Sequence, residues 1–482
     1  MTDISPTQKS VLKEVVGKEA VSKKGREEEN VIYTSFLETE YYILEQVSSS
    51  ELSERYDLPS GLGFVIFDKR SGTSTVEKEF FYNNLYHRPI VDDLVTTKAI
   101  SLPTGVEEYG TTAELVEEIR KFLTDYFELP SFYSSFIPYL IMFYWVYERF
   151  PFIPYLQFVG RTGTGKSTAM EVIGSICYKS IDASGAITLS SIFRTASTWH
   201  GTLLLDEFGA GGENYHEMIS FLKSGVSNKV VLRVEGDKER KVRAYVIKSP
   251  KLFTSEDPIS DAGLQSRTIV IRMEKNTRKI PLYRLKLYDK QAEILRNKLL
   301  LWRLRNLGKI DLNQIEYGFP ELEIFDRRVQ QVITPIFYFS DEQSRVNIIE
   351  FAKEQQRETV RERAESLSGQ IFQAIADVYP TPLSLSAITA DINKSRANKT
   401  EYSPKKVGSV IRKVLGLDTI RSRDGYFVVI DGAERKIKEL SNYFGIGIPE
   451  ERSSSTSSSQ TSHELEEEPY QVSMDDVPGE DD

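Results

Sequence analysis

Residues Gly160 to Thr168 have the spacing of a loop that holds phosphate groups, Gly-x4-Gly-Lys-Ser/Thr. Glycines allow backbone N–H groups to curl around phosphate oxygens, a lysine adds a cation, and the next hydroxyl is placed to hold Mg2+. The apolar run 154–159 before the loop is typical of a strand, and the pattern of 169–177 after it is typical of a helix. These flanks favour a nucleoside triphosphate site over a plain glycine-rich turn. The predicted nucleotide-binding residues are Gly160, Gly163, Gly165, Lys166, Ser167 and Thr168.

An acidic pair, Asp206 and Glu207, comes directly after the apolar run 201–205. If that run is a strand, Asp206 lies at the carboxyl edge of a sheet, where it can share a Mg2+ ion with Ser167. Glu207 can then polarise the water that attacks the γ-phosphate. The alternative is an ordinary exposed acidic pair after a buried strand. We therefore predict ATP as the nucleotide, Mg2+ as its metal, and Lys166 and Glu207 as catalytic residues.

Two more residues follow in an order that favours hydrolysis. The run 245–255 is interpreted as a core strand, and the hydroxyl of Thr254 at its end could hydrogen-bond the attacking water or the γ-phosphate. A polar strand end without a catalytic role is the alternative. Arg267 begins the β-like run 268–272, where it could reach the nucleotide of a neighbouring subunit and stabilise charge as the γ-phosphate leaves. A surface salt bridge is the alternative for Arg267.

Composition excludes several classes of protein. The single cysteine, Cys177, excludes a disulfide framework and a cysteine zinc site, and the four histidines have no metal-ligand spacing. The formal net charge of −10 comes almost entirely from nine carboxylates in residues 461–482, because the rest of the chain has 61 basic and 62 acidic residues. The body of the protein can therefore carry a local basic face.

One apolar segment, 132–147, has the composition of a membrane helix but is too short, since a span needs about 20 residues. It also contains Pro138 and is followed by two charged residues. We predict a buried helix beside the nucleotide-binding sheet. With a polar, charged N-terminus that lacks a secretion signal, the sequence predicts a cytoplasmic protein without membrane contact.

The pattern of strands, helices and turns predicts an α/β protein of several regions. A turn at Asp68 to Gly72 is expected to join two strands of the first folded region. The regions are a mobile charged arm (1–30), an N-terminal β-rich domain (31–105), a helical lead-in (111–150), the nucleotide-binding core (151–275), a helical lid (276–345), a helical connector (346–365), a compact C-terminal unit (366–432) and a disordered, serine-rich acidic tail (450–482).

The C-terminal unit has the layout of a winged helix. Helical patterns cover 368–379, 386–393 and 403–415, and a hairpin follows at 418–430 with its turn at Asp424 and Gly425. In that layout the third helix enters the major groove and the ribbon contacts the backbone. Residues 391–423 carry nine Lys or Arg against three acids, which supports duplex DNA binding, although winged helices also bind proteins. The predicted contacts are Lys405, Lys406, Arg412, Lys413, Arg421 and Arg423.

The runs SSIFRTASTWHGTLLLDEFG, KSPKLFTSEDP and GLQSRTIVIRM together resemble the AAA+ helicase-like ATPases of plasmids, proviruses and viruses, which are related to superfamily 3 helicases and primase-associated ATPases. The resemblance covers about residues 135–345 and implies an AAA+ P-loop NTPase core that forms a ring, commonly a hexamer. It implies that the phosphate loop and acidic pair act within one subunit and Arg267 acts on the next. The chain departs from superfamily 3 at Thr254 or Ser255, where those enzymes usually have asparagine. Arg327 and Arg328 would be lid arginines near the nucleotide.

The resemblance also implies a hairpin that projects into the ring pore and grips single-stranded DNA. Residues 230–245 fit a hairpin, with Lys238, Arg240 and Lys241 as phosphate contacts; a solvated hairpin without a ligand is the alternative. The expected function is that of an ATP-hydrolysing, DNA-translocating helicase-like ATPase in replication of a mobile genetic element, with replication proteins as candidate partners. Two alternatives stay open: a loader or remodeller of DNA-bound proteins that does not unwind DNA, and a nucleotide-switched DNA-binding regulator.

Overall fold

The computed structural model is a mixed α/β chain in which residues 30–58, 61–129, 131–183, 188–207, 215–235, 241–278, 280, 286–394 and 401–449 are described. They belong to two compact units, Met1–Gln356 and Arg357–Asp482. The predicted arm, apart from Asn30, and the predicted tail lie outside the described residues.

The first unit begins with two small sheets. Strands β2 to β5 form an antiparallel sheet in chain order, and β1, β7 and β6 form the other. The predicted turn at 68–72 is confirmed, because Asp68 pairs with Thr73 across β4 and β5. The elements are β1 (Val31–Tyr33), β2 (Phe36–Glu38), β3 (Tyr42–Ser48), α1 (Ser50–Tyr56), β4 (Leu62–Asp68), β5 (Thr73–Glu77), β6 (Phe80–Tyr82), β7 (Leu85–Arg88) and α2 (Asp93–Thr96).

A six-stranded sheet follows and forms the centre of the first unit. Its strand order is β15-β9-β14-β11-β10-β8, and every neighbouring pair is parallel except β8 with β10. A separate hairpin pairs β12 with β13. The strands are β8 (Ile100–Ser101), β9 (Tyr155–Val159), β10 (Ser180–Asp182), β11 (Leu203–Leu205), β12 (Val230–Glu235), β13 (Lys241–Val246), β14 (Lys251–Ser255) and β15 (Thr268–Arg272).

Helices connect most of the strands of the central sheet. The apolar segment at 132–147 contains α5, all of whose residues are buried, which agrees with the predicted buried helix. Among the described residues, no helix is both long enough and apolar enough to cross a membrane. The helices are α3 (Thr112–Tyr126), α4 (Ser131–Ser134), α5 (Ile137–Tyr144), α6 (Lys166–Gly174), α7 (Leu189–Trp199), α8 (Tyr215–Gly225), α9 (Ala262–Gln265), α10 (Lys286–Asn306), α11 (Leu312–Tyr317), α12 (Arg327–Phe339) and α13 (Glu342–Glu365).

The second unit has its own core and begins within α13. Ser403 caps α16 by accepting from the N–H of Lys406 at 3.3 Å, and a π-helical turn at Ile411–Leu415 continues that helix. Ser384 forms an isolated bridge with Phe427, so the ribbon gains a third segment. The remaining elements are α14 (Leu367–Val378), α15 (Leu385–Lys394), α16 (Pro404–Val410), β16 (Thr419–Ser422), β17 (Gly425–Val428) and α17 (Glu434–Phe444). Helix α17 lies beyond the unit boundary predicted from the sequence.

The β-rich start of the chain shares one core with the central sheet. Ile43 and Val65 of the first sheets belong to the same buried cluster as Leu156 of β9 and Leu299 of α10. Strand β8, inside the predicted N-terminal region, pairs with β10 of the central sheet. The structure therefore packs this region, the central sheet and the helices up to residue 356 as one unit, where the sequence divided them.

Buried ion pairs connect the antiparallel sheet of β2 to β5 with the central sheet and α10. Arg303 of α10 is fully buried and pairs through Nε with Glu45 of β3 at 2.6 Å. Lys179, which precedes β10, contacts the other oxygen of Glu45 at 3.0 Å. Arg303 also pairs with Glu148, and Tyr178 donates to the Glu45 carboxylate at 3.1 Å. Removing one charge from such a cluster leaves the others buried without compensation.

We expect Arg303→Met to lower the free energy of unfolding by about 3–5 kcal/mol, because Glu45 and Glu148 would lose their shared cation. Arg305→Met is the matched control: Arg305 pairs with Glu108 at 2.7 Å, and the two side chains are 33% and 73% exposed. An exposed pair contributes about 1 kcal/mol or less. Urea unfolding followed by circular dichroism measures both variants. Equal losses for the two arginines would contradict the stabilising role of the buried cluster.

Candidate nucleotide-binding site

The phosphate loop lies between β9 and α6, where the sequence predicted it. Gly163 and Gly165 have φ values of +83° and +84°, a backbone region that other residues rarely adopt. Gly160 has no room for a side chain, since a Cβ there would lie 2.6 Å from the carbonyl oxygen of Met273. The N-terminus of α6 begins at Lys166, so its first N–H groups belong to this loop.

Three polar groups meet beside this loop. Ser167 donates to Oδ1 of Asp206 at 3.1 Å, and the hydroxyl of Thr254 donates to the same oxygen. Asp206 follows β11 and Thr254 lies on β14, and these two strands are parallel neighbours, so both residues reach the same sheet edge. Lys166 lies in the same cleft and donates to the carbonyls of Gly160, at 2.7 Å, and of the next residue.

Glu207 is held by its backbone. Its φ is +54°, which is unusual for a residue with a side chain, and its N–H donates to Asp206 Oδ1 at 3.1 Å and to Thr254 Oγ1 at 2.9 Å. The exposed Glu207 side chain lines the cleft. The hydroxyl of Thr254 thus hydrogen-bonds the acidic pair. The sequence had predicted that it contacts the attacking water or the γ-phosphate.

The cleft around the phosphate loop has a volume of about 820 Å3. One wall is the segment after β14, which sequence reasoning missed: Glu256 accepts from Thr162 of the loop at 3.2 Å. The buried side chain of Gln157 donates to Ser255 at 2.7 Å and supports the base of that wall. The donors in the cleft suit a magnesium nucleotide, because hydroxyl and carboxylate oxygens are ligands that Mg2+ prefers. Ser167 and Asp206 are the residues that would hold the metal.

Arg267 lies at the opposite end of the sheet from the phosphate loop. It precedes β15, whose first residue, Thr268, pairs with Tyr155 at the start of β9, whereas the loop follows Val159 at the end of β9. A strand of five residues spans about 17 Å, so the two ends are well separated. Arg267 therefore does not join the described cleft of its own subunit.

Around Arg267 the structure forms what we call the basic pocket, which has a volume of about 390 Å3. Arg327 and Arg328 of α12, which were predicted to lie near the nucleotide, line the basic pocket and not the cleft of the phosphate loop. Burial and the nearby Arg328 lower the pKa of Arg267. Lys223 pairs with Asp261 at 3.1 Å. The cations of the basic pocket are Lys223, Lys229, Arg267, Arg327 and Arg328.

The predicted hairpin at 230–245 is present as β12 and β13, with Val230 paired to Val246. It also shortens the predicted core strand 245–255, because β13 ends at Val246 and the core strand β14 begins only at Lys251. Two of the proposed DNA contacts, Lys238 and Arg240, lie outside the described residues, and so does the side chain of Lys241.

In the second unit, the six predicted DNA contacts are all exposed. Lys405 and Lys406 lie on α16, Lys413 lies in the π-helical turn, and Arg421 lies on β16. Arg412 is tied to the start of the ribbon, since its guanidinium donates to Thr419 at 2.9 Å.

We expect Thr254→Val to lower ATP hydrolysis about ten- to hundredfold, because the hydroxyl that orients Asp206 and the Glu207 N–H would be lost at almost unchanged volume. Thr254→Ser keeps the hydroxyl and should retain most of the rate. Steady-state hydrolysis gives the rate, and titration with a fluorescent ATP analogue shows whether binding persists. Equal rates for the two variants would contradict this positioning role.

No protein-family model and no curated protein matches this chain. Among solved structures, the chain is similar to "SCCmec type IV Cch - active helicase", with 14% identity over 86% of this chain and 81% of that one and a TM-score of 0.44. It is also similar to "The apo structure of NrS-1 C terminal region (305-718)", with 10% identity over 80% of this chain and 96% of that one and a TM-score of 0.36.

Proposed function

We propose that this chain is a Mg2+-dependent AAA+ ATPase that translocates on DNA as a helicase-like replication enzyme of a mobile genetic element. The observation that carries the proposal is the meeting of Ser167, Asp206 and Thr254 beside a phosphate loop at one sheet edge. Strand β14, which bears Thr254, lies between the strand of the phosphate loop and the strand of the acidic pair, and this order supports an AAA+ core.

In this proposal Ser167 and Asp206 hold the Mg2+ that accompanies ATP, and Lys166 contacts its phosphates. The metal neutralises charge on the phosphate oxygens when it is bound. Glu207 accepts the proton of the attacking water, a role that suits its exposed carboxylate on a fixed backbone. Thr254 orients the acidic pair. Glu207 is the one residue that accepts a proton in this proposal.

Arg267 acts on a neighbouring copy. The separation of about 17 Å along β9 keeps it from its own phosphate loop, and the basic pocket brings it together with four other cations. A polyanion such as a triphosphate would neutralise this concentration of positive charge. A closed ring, for which we propose a hexamer, places one copy's basic pocket at the next copy's phosphate cleft.

DNA contacts are proposed for the second unit, with helix α16 and the β16–β17 ribbon as a winged helix. The exposed cations on these elements support contacts to duplex phosphates, with Lys405 and Lys413 as examples. The core of the second unit is separate from that of the first, so this surface folds around its own helices. Single-stranded DNA is proposed to run through the ring.

The function is tested by steady-state ATP hydrolysis without nucleic acid, with single-stranded DNA and with duplex. We expect single strands to raise the rate about tenfold or more, Lys166→Ala to abolish binding and hydrolysis, and Glu207→Gln to abolish hydrolysis while nucleotide binding remains. A Lys405→Ala, Lys413→Ala variant should lose affinity for duplex and keep its basal rate. A rate indifferent to every DNA would contradict translocation, and undiminished turnover by Glu207→Gln would contradict the assignment of the base.

A further inference from the structure

One face of the β12–β13 hairpin consists entirely of exposed aliphatic residues. We call it the hairpin face: Val230, Leu232, Val234, Val242, Ala244 and Val246. Its four valines are 57%, 61%, 64% and 41% exposed, and Leu232 is 66% exposed. Cross-strand pairing joins them into one patch, with Leu232 opposite Ala244. Proteins rarely leave a flat apolar strand surface of this kind in water.

The orientation of the hairpin is set by its other face. Tyr245 is buried against Phe193 of α7, with ring centroids 6.0 Å apart, and the Arg233 guanidinium lies 4.5 Å above the same ring. The N–H of Val246 donates to Ser197 of α7 at 3.3 Å. Because the polar and aromatic face packs on α7, the aliphatic face is directed away from its own helix.

The chemistry of the hairpin face restricts what can cover it. Its six side chains offer no cation for a phosphate, no aromatic ring for a base and no hydrogen-bond donor. Nucleic-acid binding uses those groups, so the face does not suit DNA. An apolar protein surface does suit it, because burial of each valine or leucine is favourable.

We propose that the hairpin face packs against a second copy of this chain. Six-residue strands in a pair cover about 200 Å2, whereas a stable interface buries about 800 Å2 on each partner. The hairpin face therefore needs a larger interface around it. The adjoining surface is the basic pocket, since Lys229 lines that pocket and immediately precedes Val230. This inference rests on the proposed function, in which a second copy brings its nucleotide to the basic pocket. Association of the two copies is therefore expected to depend on nucleotide.

The test is sedimentation velocity of the full chain over a range of concentrations, with and without Mg2+ and ATPγS. The test variant is Leu232→Thr with Val242→Thr, which puts a strand-favouring β-branched side chain at both positions and changes only exposed positions. Ile324→Thr with Val91→Thr is the control, because those residues are 75% and 60% exposed elsewhere in the first unit. We expect the wild type and the control to assemble when nucleotide is present. The hairpin variant should assemble only at a protein concentration about tenfold higher or more.

Thermal unfolding and binding of a fluorescent ATP analogue are measured on the same proteins, and we expect both to be unchanged in the hairpin variant. Assembly of the hairpin variant at the same concentration as the control would overturn the inference. A wild type that stays monomeric with nucleotide bound would also overturn the inference. So would a hairpin variant that assembles normally but no longer binds DNA. Failure of the wild type to bind the ATP analogue would instead overturn the proposed function.

Discussion

The common direction of the five parallel strands is the constraint on which the rest of the structure depends. Because β9 and β15 run side by side in register, the phosphate loop after Val159 and Arg267 before Thr268 are placed at opposite ends of the sheet. The same direction brings Asp206 and Thr254 to the phosphate-loop edge. In the proposed function, a site that uses both ends is therefore built from two copies of the chain. Lys229 of the basic pocket immediately precedes Val230 of the hairpin face.

The buried charge cluster has a different consequence for the first unit. Glu45, Lys179 and Arg303 come from distant parts of the chain and are each at most 1% exposed. They connect β3 of the first sheets to the start of β10 and to α10. Since unpaired charges are costly in a core, these elements are expected to fold and unfold together. The β-rich start of the chain is thus joined to the central sheet that carries the candidate site.

The positions of the glycine-rich loop and of the acidic pair at strand ends could be predicted because local sequence patterns determine them. Nine contiguous residues form the loop, and an acid after a buried strand falls at a sheet edge once the strands are parallel. The hairpin could be predicted from alternation on both arms. Which of its faces is exposed could not, because that depends on packing against Phe193 of α7. The basic pocket could not be predicted from the sequence, because its cations at 223, 229, 267, 327 and 328 meet only through the tertiary fold. Helix α17 was missed because its surface is strongly charged and only residues such as Ile437 and Phe444 reach the core.

The most direct test of a nucleotide site shared by two copies is ATP hydrolysis in a mixture of Lys166→Ala and Arg267→Ala chains. Each variant alone should be inactive, the first because it cannot hold the phosphates and the second because no copy supplies the arginine. In a mixed assembly, an intact phosphate loop can face an intact Arg267, so the account predicts that mixing restores a substantial fraction of the wild-type rate. A mixture no more active than the sum of the two separate variants would contradict it.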